Sequence, residues 1–358
     1  MNIIIRLSHF TGILHTLFAY CLIFTRFLFT ASGPGRGQAG LVCKITPLTR
    51  AHGQAHRGIA VVLLAILGSD AAASGATFNL TQVAPGVYVH HGRMVSIDDP
   101  GRDDIANIGF IVGSQCVAVI DTGGSVRVGE QLRQAIRQTT RVPVCYVINT
   151  HIHYDHVLGN AAFADPGVEF IGHAQLAPAM QANKEFFLSN FRHELGKAGA
   201  AAVIPPGRLV QDTLVLDLGG RKLLLTAYPP AHTNNDLSVY DEQTRTLWLS
   251  DLLFMQRLPA LDGSLKGWLA VLHKLTAMPA DRAIPGHGPV SAPWPQAAAD
   301  EIRYLRTLRD QIRERLAQGQ FMEQIVDQVG SKEKTRWQLY QHQHKRNVSR
   351  AFAELEWE

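Results

Sequence analysis

The chain has 358 residues, 46% of them hydrophobic, so it can bury a large core, and one large domain with appendages is the natural expectation. The formal net charge is only +4, and no dense block of lysine and arginine lies in the central part of the chain. Such a chain lacks the electrostatic footprint of a nucleic-acid-binding protein, and we therefore expect no nucleic-acid partner.

The first 76 residues differ in character from the rest. Residues 57–76 combine a basic residue, the apolar run 59–68 and a group of small residues, which is the pattern of a secretory signal peptide. The apolar run is too short to span a bilayer comfortably. We predict export to a bacterial periplasm, a folded part that begins near Thr77, and no stable membrane insertion of the mature domain.

A second apolar stretch lies upstream, within residues 11–30. Either the translation start is assigned too far upstream, so that residues 1–50 are not part of the natural product, or this stretch is a true membrane anchor. The signal-peptide pattern favours the first alternative. We divide the chain into an export segment, 1–76, a main domain, 77–292, and a helical C-terminal extension that packs on it, 293–358.

The first half of the main domain is predicted to form short strands around one helix. Residues 126–139 have the 3.6-residue spacing of an amphipathic helix, with Val128, Leu132 and Ile136 on one face. Almost continuously apolar runs precede and follow it, as expected of strands that are covered on both faces. The predicted strands are residues 78–83, 87–90, 107–112, 116–121 and 142–149.

The second half is also predicted to form short apolar strands, and it ends in helices. Strands are predicted at residues 214–216, 223–226, 237–240, 246–250 and 282–284, and helices at 266–277 and about 296–318. Residues 184–207 look like an insertion between the halves. We expect the tail, 331–358, to be partly helical, with His342 and His344 in solvent.

Two cysteines, Cys116 and Cys145, lie in the mature part, and each stands five residues before the end of a strand-like run. If these strands are parallel neighbours in register, the two sulfurs start level with each other. A disulfide could then form in an oxidising compartment, and two buried free thiols are the alternative.

The loop after the strand that ends at Asn149 contains four candidate metal ligands: His151, His153, Asp155 and His156. Imidazole and carboxylate are donors that suit zinc and its neighbours, and a strand end is a rigid place to hold them. If this cluster stood alone, a solvated histidine-rich loop that binds no metal would be the alternative interpretation.

Three further candidates, His232, Asp251 and His287, follow apolar strands in the second half. Side chains at strand ends converge on one edge of a sandwich, so we expect all seven candidates to meet. Seven ligands suffice for two divalent ions. The predicted first site is His151, His153 and His232, the second is Asp155, His156 and His287, and Asp251 could bridge the two.

The order His-x-His-x-Asp-His, a lone His before Thr, Ser-Asp after a strand, and Gly-His-Gly resembles the metallo-β-lactamase superfamily. The resemblance covers residues 78–291. It implies an α+β fold, the four-layer αβ/βα sandwich of two mixed sheets, and a supporting role for Asp121 beneath the metal loop.

Residues 251–254, 261–268 and 347–358 are similar to the exported quinoprotein relay system zinc metallohydrolases. That likeness implies a setting in periplasmic quinoprotein (PQQ) or sulfur oxidation metabolism, and association with a periplasmic quinoprotein. Common zinc β-lactamases have Cys where Asp251 stands and Lys where Phe254 stands, so hydrolysis of β-lactams is disfavoured as the main role and stays an alternative.

The resemblance implies a zinc hydrolase in which two ions share a hydroxide that attacks an ester, thioester, lactone or amide of a small molecule. Asp155 and Asp251 would act catalytically by orienting the hydroxide, and Asp155 or a metal-bound water would protonate the leaving group. A different class stays open, a persulfide-dioxygenase-like enzyme with one iron held by His151, His232 and Asp251. A protein that holds or carries metal without turnover is a third alternative.

Overall fold

The computed structural model describes residues 78–358, and the predicted export segment, signal peptide and alternative anchor at residues 11–30 lie outside them. Two mixed β-sheets pack face to face between helices, which confirms the predicted α+β sandwich. No helix within residues 78–358 has both the length and the apolar character needed to cross a membrane.

The first sheet has seven strands that lie side by side in chain order. Strands β1 to β4 are antiparallel neighbours, whereas β4 to β7 run parallel. The strands are β1 (Leu80–Ala84), β2 (Val87–His90), β3 (Ile108–Val112), β4 (Val117–Ile120), β5 (Val144–Asn149), β6 (Glu169–His173) and β7 (Arg208–Val210).

The second sheet has six strands in the order β13-β12-β11-β10-β9-β8, and β11 and β12 form its parallel pair. The strands are β8 (Thr213–Asp217), β9 (Lys222–Ala227), β10 (Leu237–Asp241), β11 (Thr246–Phe254), β12 (Arg282–His287) and β13 (Ala292–Pro293). The short strands β6, β7 and β13 are additional to the predicted ones, since they carry too few apolar residues to give a period.

The described residues form nine α-helices, the longest of which cover the outer faces of the two sheets. They are α1 (Val126–Thr139), α2 (Tyr154–Val157), α3 (Leu176–Ala182), α4 (Lys184–Asn190), α5 (Arg192–Leu195), α6 (Leu265–Leu275), α7 (Ala299–Ala317), α8 (Met322–Ile325) and α9 (Tyr340–Leu355).

Alternation along the strands explains the layering. In β4, Val117 and Val119 face helix α1, whereas Ala118 and Ile120 face the second sheet, because successive side chains of a strand point to opposite faces. Helix α1 buries its predicted apolar face there, and its N-terminus is capped by the Ser125 hydroxyl, which accepts from the Val128 N–H.

The C-terminal helices cover the outer face of the second sheet. Leu305, Leu308 and Ile312 of α7 are fully buried with helices α6 and α9, which confirms that the apolar stripe of this helix is core. The prediction for His344 was wrong: this side chain is buried, its Nε2 donates to the Val329 carbonyl and its Nδ1 accepts from the Tyr304 hydroxyl. An isolated histidine on a helix shows no sequence signal for such packing.

Cys116 and Cys145 are joined by a disulfide, with their Cα atoms 5.5 Å apart. Strands β4 and β5 are parallel neighbours, and the register shifts after Val117, next to Cys116. The bond ties the start of β5, whose far end leads into the histidine-rich loop, to the strand that leads to Asp121.

Candidate metal centre

The seven candidate ligands converge at one edge of the sandwich in two groups. One group is His151, His153, His232 and Asp251, and the other is Asp155, His156 and His287, and within each group the ligand atoms lie within 4.8 Å of one another. Six of the seven side chains are buried, and His153 is partly exposed.

The loop after β5 supplies four of these side chains because the chain turns there directly into helix α2. His153 has an extended backbone at the N-terminal cap of that helix, which places Asp155 and His156 in its single turn. Their side chains therefore point back toward the end of β5, where His151 lies. The local sequence thus holds four ligands within one short turn.

Asp251 lies at the centre of the site. Its Oδ2 is 3.7 Å from His151 Nε2, 3.4 Å from His232 Nε2 and 3.3 Å from His287 Nε2. Its Oδ1 is 3.2 Å from His156 Nε2. The carboxylate of Asp251 therefore faces both groups of ligands, as the prediction of a bridging residue requires.

The backbone at Asp251 is unusual in two ways. Ser250 has a left-handed conformation, with φ of 48°, and the pairing between β11 and β12 shifts on both sides of it. Gly286 of β12 faces Asp251 so closely that a Cβ there would overlap the carboxylate. The irregular pairing and the missing side chain together make room for Asp251 between the two strands.

Hydrogen bonds fix the rings of three histidines. His232 Nδ1 donates to the Ala260 carbonyl at 2.6 Å, His287 Nδ1 to the Ile105 carbonyl at 2.8 Å, and His156 Nδ1 to Asp121 Oδ2 at 2.8 Å. Each Nδ1 is thus held by a fixed acceptor, and each Nε2 is directed toward the centre of the site, which is the orientation of a metal-ligating imidazole.

Asp121 supports the loop from below. It is fully buried, its Oδ1 accepts from the Thr150 N–H at 2.8 Å, and its Oδ2 accepts from Ser250 Oγ at 3.1 Å as well as from His156. It thus connects the end of β5, strand β11 and one ligand. This geometry is that of a residue that orients a metal ligand without touching the metal.

Asp262 is a supporting residue to which sequence reasoning assigned no role. Its Oδ2 accepts from His153 Nε2 at 3.1 Å, which turns His153 Nδ1 toward His232 Nε2, 3.0 Å away. The Oδ1 of Asp262 accepts from Arg346 of α9 at 2.6 Å. The one feature of the sequence that could have indicated a role for Asp262 is its position in residues 261–268, which resemble a motif of the quinoprotein relay system zinc metallohydrolases.

The electrostatics of the site suit a cation. Burial, together with the nearby His156, lowers the pKa of His151 well below its usual range, and burial lowers the pKa of His232 to about 4. Both rings are therefore neutral at neutral pH, as metal-ligating imidazoles are. Burial also opposes a charge on His156, but the surrounding carboxylates outweigh it and raise the pKa of His156 well above its usual range.

Three buried atoms that face the centre have no hydrogen-bond partner within residues 78–358: His151 Nε2, His156 Nε2 and Asp251 Oδ1. Buried polar atoms are almost always paired in proteins, so these atoms need a partner. Divalent cations would supply it, since all three are ligand atoms. The donor set therefore fits zinc or another metal of the first transition row.

The comparisons with known proteins agree with this geometry. Residues 101–287, just over half of the chain, match the sequence model of the metallo-beta-lactamase superfamily. The chain therefore belongs to the metallo-beta-lactamase superfamily, and it is a hydrolase of that superfamily with a candidate metal site.

Solved structures share its fold at low sequence identity. A metallo-beta-lactamase from Pontibacter korlensis is 20% identical, with a TM-score of 0.52 over 64% of this chain and 98% of that chain. DIM-1 metallo-beta-lactamase is 15% identical, with a TM-score of 0.51 over 64% of this chain and 97% of that chain. TMB-1 is 15% identical, with a TM-score of 0.50 over 64% and 96%.

Proposed function

We propose that this protein is an exported dinuclear zinc hydrolase that cleaves an ester, thioester, lactone or amide-type bond in a small molecule. The observation that carries the proposal is the position of the Asp251 carboxylate, which faces ligand atoms of both groups at 3.2 to 3.7 Å. A carboxylate between two ligand sets is suited to two ions rather than one.

The proposed ligands of one ion are His151, His153 and His232, and those of the other are Asp155, His156 and His287, with Asp251 shared. Two zinc ions bound there would supply a hydroxide nucleophile at neutral pH and would polarise the scissile carbonyl. The protein's own contribution is to fix the ligand atoms through Asp121, Asp262 and the carbonyls of Ala260 and Ile105.

Asp155 is the residue to which we assign the proton transfer. Its carboxylate lines the cavity above the site, and its Oδ2 lies 3.5 Å from both His156 Nε2 and His287 Nε2. From there it can orient the attacking water and pass a proton to the leaving oxygen, sulfur or nitrogen. Hydrolysis needs water as its only co-reactant, and it yields an acid and an alcohol, thiol or amine.

Export and a link to periplasmic quinoprotein or sulfur oxidation metabolism are part of the proposal. The disulfide between Cys116 and Cys145 supports export, because such bonds persist in oxidising compartments. The signal-peptide pattern of residues 57–76 supports it independently. The association with a quinoprotein rests on the sequence motifs alone.

Metal analysis of the purified protein, combined with activity assays on thioesters, lactones and β-lactams, tests this function. We expect about two zinc ions per chain and metal-dependent hydrolysis. One iron per chain with oxygen consumption would instead indicate the dioxygenase alternative. Asp155→Ala should lose bound metal and turnover, and full turnover in this variant would contradict the proposed mechanism.

A further inference from the structure

A cavity of about 620 Å³ opens directly above the candidate metal centre. Its floor includes four of the candidate ligands: His153, Asp155, Asp251 and His287. A cavity of this size accommodates a small organic molecule. The side chains of its walls therefore indicate which chemical groups a substrate carries.

One part of the wall is apolar and exposed. Six large apolar side chains are exposed in the part of the chain that the structure describes, and two of them, Ile97 and Phe186, line this one cavity. Phe186 is 53% exposed and lies in an aromatic cluster with Phe187 and Phe191, which line the same wall. Exposed apolar surface inside a cavity indicates contact with an apolar group of a ligand.

Another part of the rim carries positive charge. Arg257, Arg346 and Arg350 line the cavity, whereas Asp262 is the one carboxylate of its lining that is not a candidate metal ligand. Asp262 lies 2.6 Å from Arg346 and 3.7 Å from Arg350. Its charge is thus shared by two arginines and by His153, and the rim keeps an excess of positive charge.

Arg257 is the cation best placed for a ligand. It is half-buried, and its Nη1 donates to the Val95 carbonyl at 3.0 Å, which holds the guanidinium in position. Its backbone is held by a bridge to Gln338. Within residues 78–358 no carboxylate forms an ion pair with Arg257, so its remaining N–H donors are free for an anion.

Part of this rim lies outside the residues that match the superfamily model. Arg346 and Arg350 lie on α9, in the C-terminal extension, whereas Arg257 and Phe186 lie within the matched residues 101–287. The wall of the cavity is therefore built partly by the C-terminal extension.

We infer that the substrate of this site is an amphipathic anion, with a carboxylate that pairs with Arg257 and an apolar group that lies against Phe186 and Ile97. The inference rests on the proposed hydrolytic function and specifies its substrate class. Arg346 and Arg350 add a favourable field at the mouth of the cavity, and the hydrolysed bond lies between the two groups of the substrate, above Asp155 and Asp251.

Binding of a matched pair of probes tests the inference without turnover. We would measure the affinity of 4-phenylbutyrate and of its neutral amide for the metal-loaded full chain by calorimetry. The acid should bind at least about tenfold more tightly than the amide, because a charge-assisted pair with a guanidinium replaces a neutral contact. Arg257→Ala should reduce this preference to within about twofold, and Arg257→Lys should keep part of it.

Arg306→Ala is the matched control, since Arg306 is exposed on α7, outside this cavity, and its loss removes the same charge. The control should keep the full preference for the acid. An acid preference that survives in Arg257→Ala, with unchanged folding by circular dichroism, would overturn the inference, because the carboxylate would then bind elsewhere. Failure of both probes to bind the wild-type protein would overturn it as well.

Hydrolysis assays on the same preparations separate this inference from the proposed function. The probes are the monophenyl ester of glutaric acid and the corresponding ester in which the free carboxylate is an amide. Equal kcat/KM for both esters would overturn the inference and leave the hydrolase intact. If neither ester is hydrolysed but calorimetry still shows an Arg257-dependent preference for the acid, the proposed hydrolytic function is contradicted and the anion site is supported.

Discussion

Gly286 and Asp251 approach each other so closely that any side chain on residue 286 would overlap the carboxylate at the centre of the site. We predict that Gly286→Ala displaces Asp251 and lowers the bound metal to well below one equivalent, with a matching loss of activity. Gly207→Ala is the control, because a Cβ there meets no atom within 4 Å. Metal analysis after gel filtration checks this, and a fully loaded Gly286→Ala protein would contradict it.

Asp121→Asn tests the support of His156. The amide keeps the size of the side chain but loses the charge that accepts the His156 Nδ1 proton, so the ring is no longer held in one tautomer. We expect a loss of metal affinity of about 10- to 100-fold at one of the two sites. Competition with a chromophoric chelator measures it.

Asp165→Asn is suited as the control for that experiment, since Asp165 pairs with Arg133 and half of its side chain is exposed, at 50%. It should leave the affinity for both ions unchanged. If Asp121→Asn also binds both ions like the wild type, Asp121 does not orient a ligand.

Glu301 gives a prediction about stability and pH. It is fully buried on α7, its Oε1 accepts from the Phe254 N–H at 2.9 Å, and burial raises its pKa well above the usual range. The folded state therefore keeps a proton that the unfolded chain releases above the ordinary pKa of a glutamate. The contribution of this proton to the free energy of unfolding is fully present below the ordinary pKa of a glutamate. It is lost as the pH rises toward the raised pKa of Glu301 in the folded state.

Glu301→Gln should remove this dependence while keeping an acceptor for the Phe254 N–H. At pH about 8 we expect the free energy of unfolding of the variant to exceed that of the wild type by about 1–3 kcal/mol, so that the variant is more stable. At pH about 4 the two free energies of unfolding should be equal. Urea denaturation at both pH values measures it. The exposed Glu314 on the same helix is the control, and Glu314→Gln should change stability equally at both.

The disulfide predicts the redox state of the two cysteines in the purified protein. Mass spectrometry without reduction should find Cys116 and Cys145 bridged, and neither sulfur should react with iodoacetamide. Reduction should lower the free energy of unfolding by about 2–4 kcal/mol, since the bond closes a loop between residues 29 positions apart. Two alkylated cysteines in protein isolated without reductant would rule the bridge out.

The sequence by itself determined which residues meet and which sandwich holds them. Hydrophobic runs of strand length with turn residues between them predicted β1 to β5 and β8 to β12, although the predicted β11 and β12 stop at residues 250 and 284, before these strands end at Phe254 and His287. The apolar signal is clearest in β4 and β11, where every residue is buried. The spacing of His151, His153, Asp155 and His156 indicated a metal loop, and His232, Asp251 and His287 each follow such a strand. Local chemistry sufficed for these features.

Only the tertiary structure decided how the site is supported and what lies above it. The pairing of His153 with Asp262, the approach of Gly286 to Asp251 and the position of Arg257 and Arg346 on one cavity all join residues far apart in the chain. Contacts of this kind depend on how the sheets and the C-terminal helices pack, and packing leaves no periodic signal in a single sequence. The candidate ligands could therefore be predicted from the chain, whereas the walls of the cavity above them could be described only from the fold.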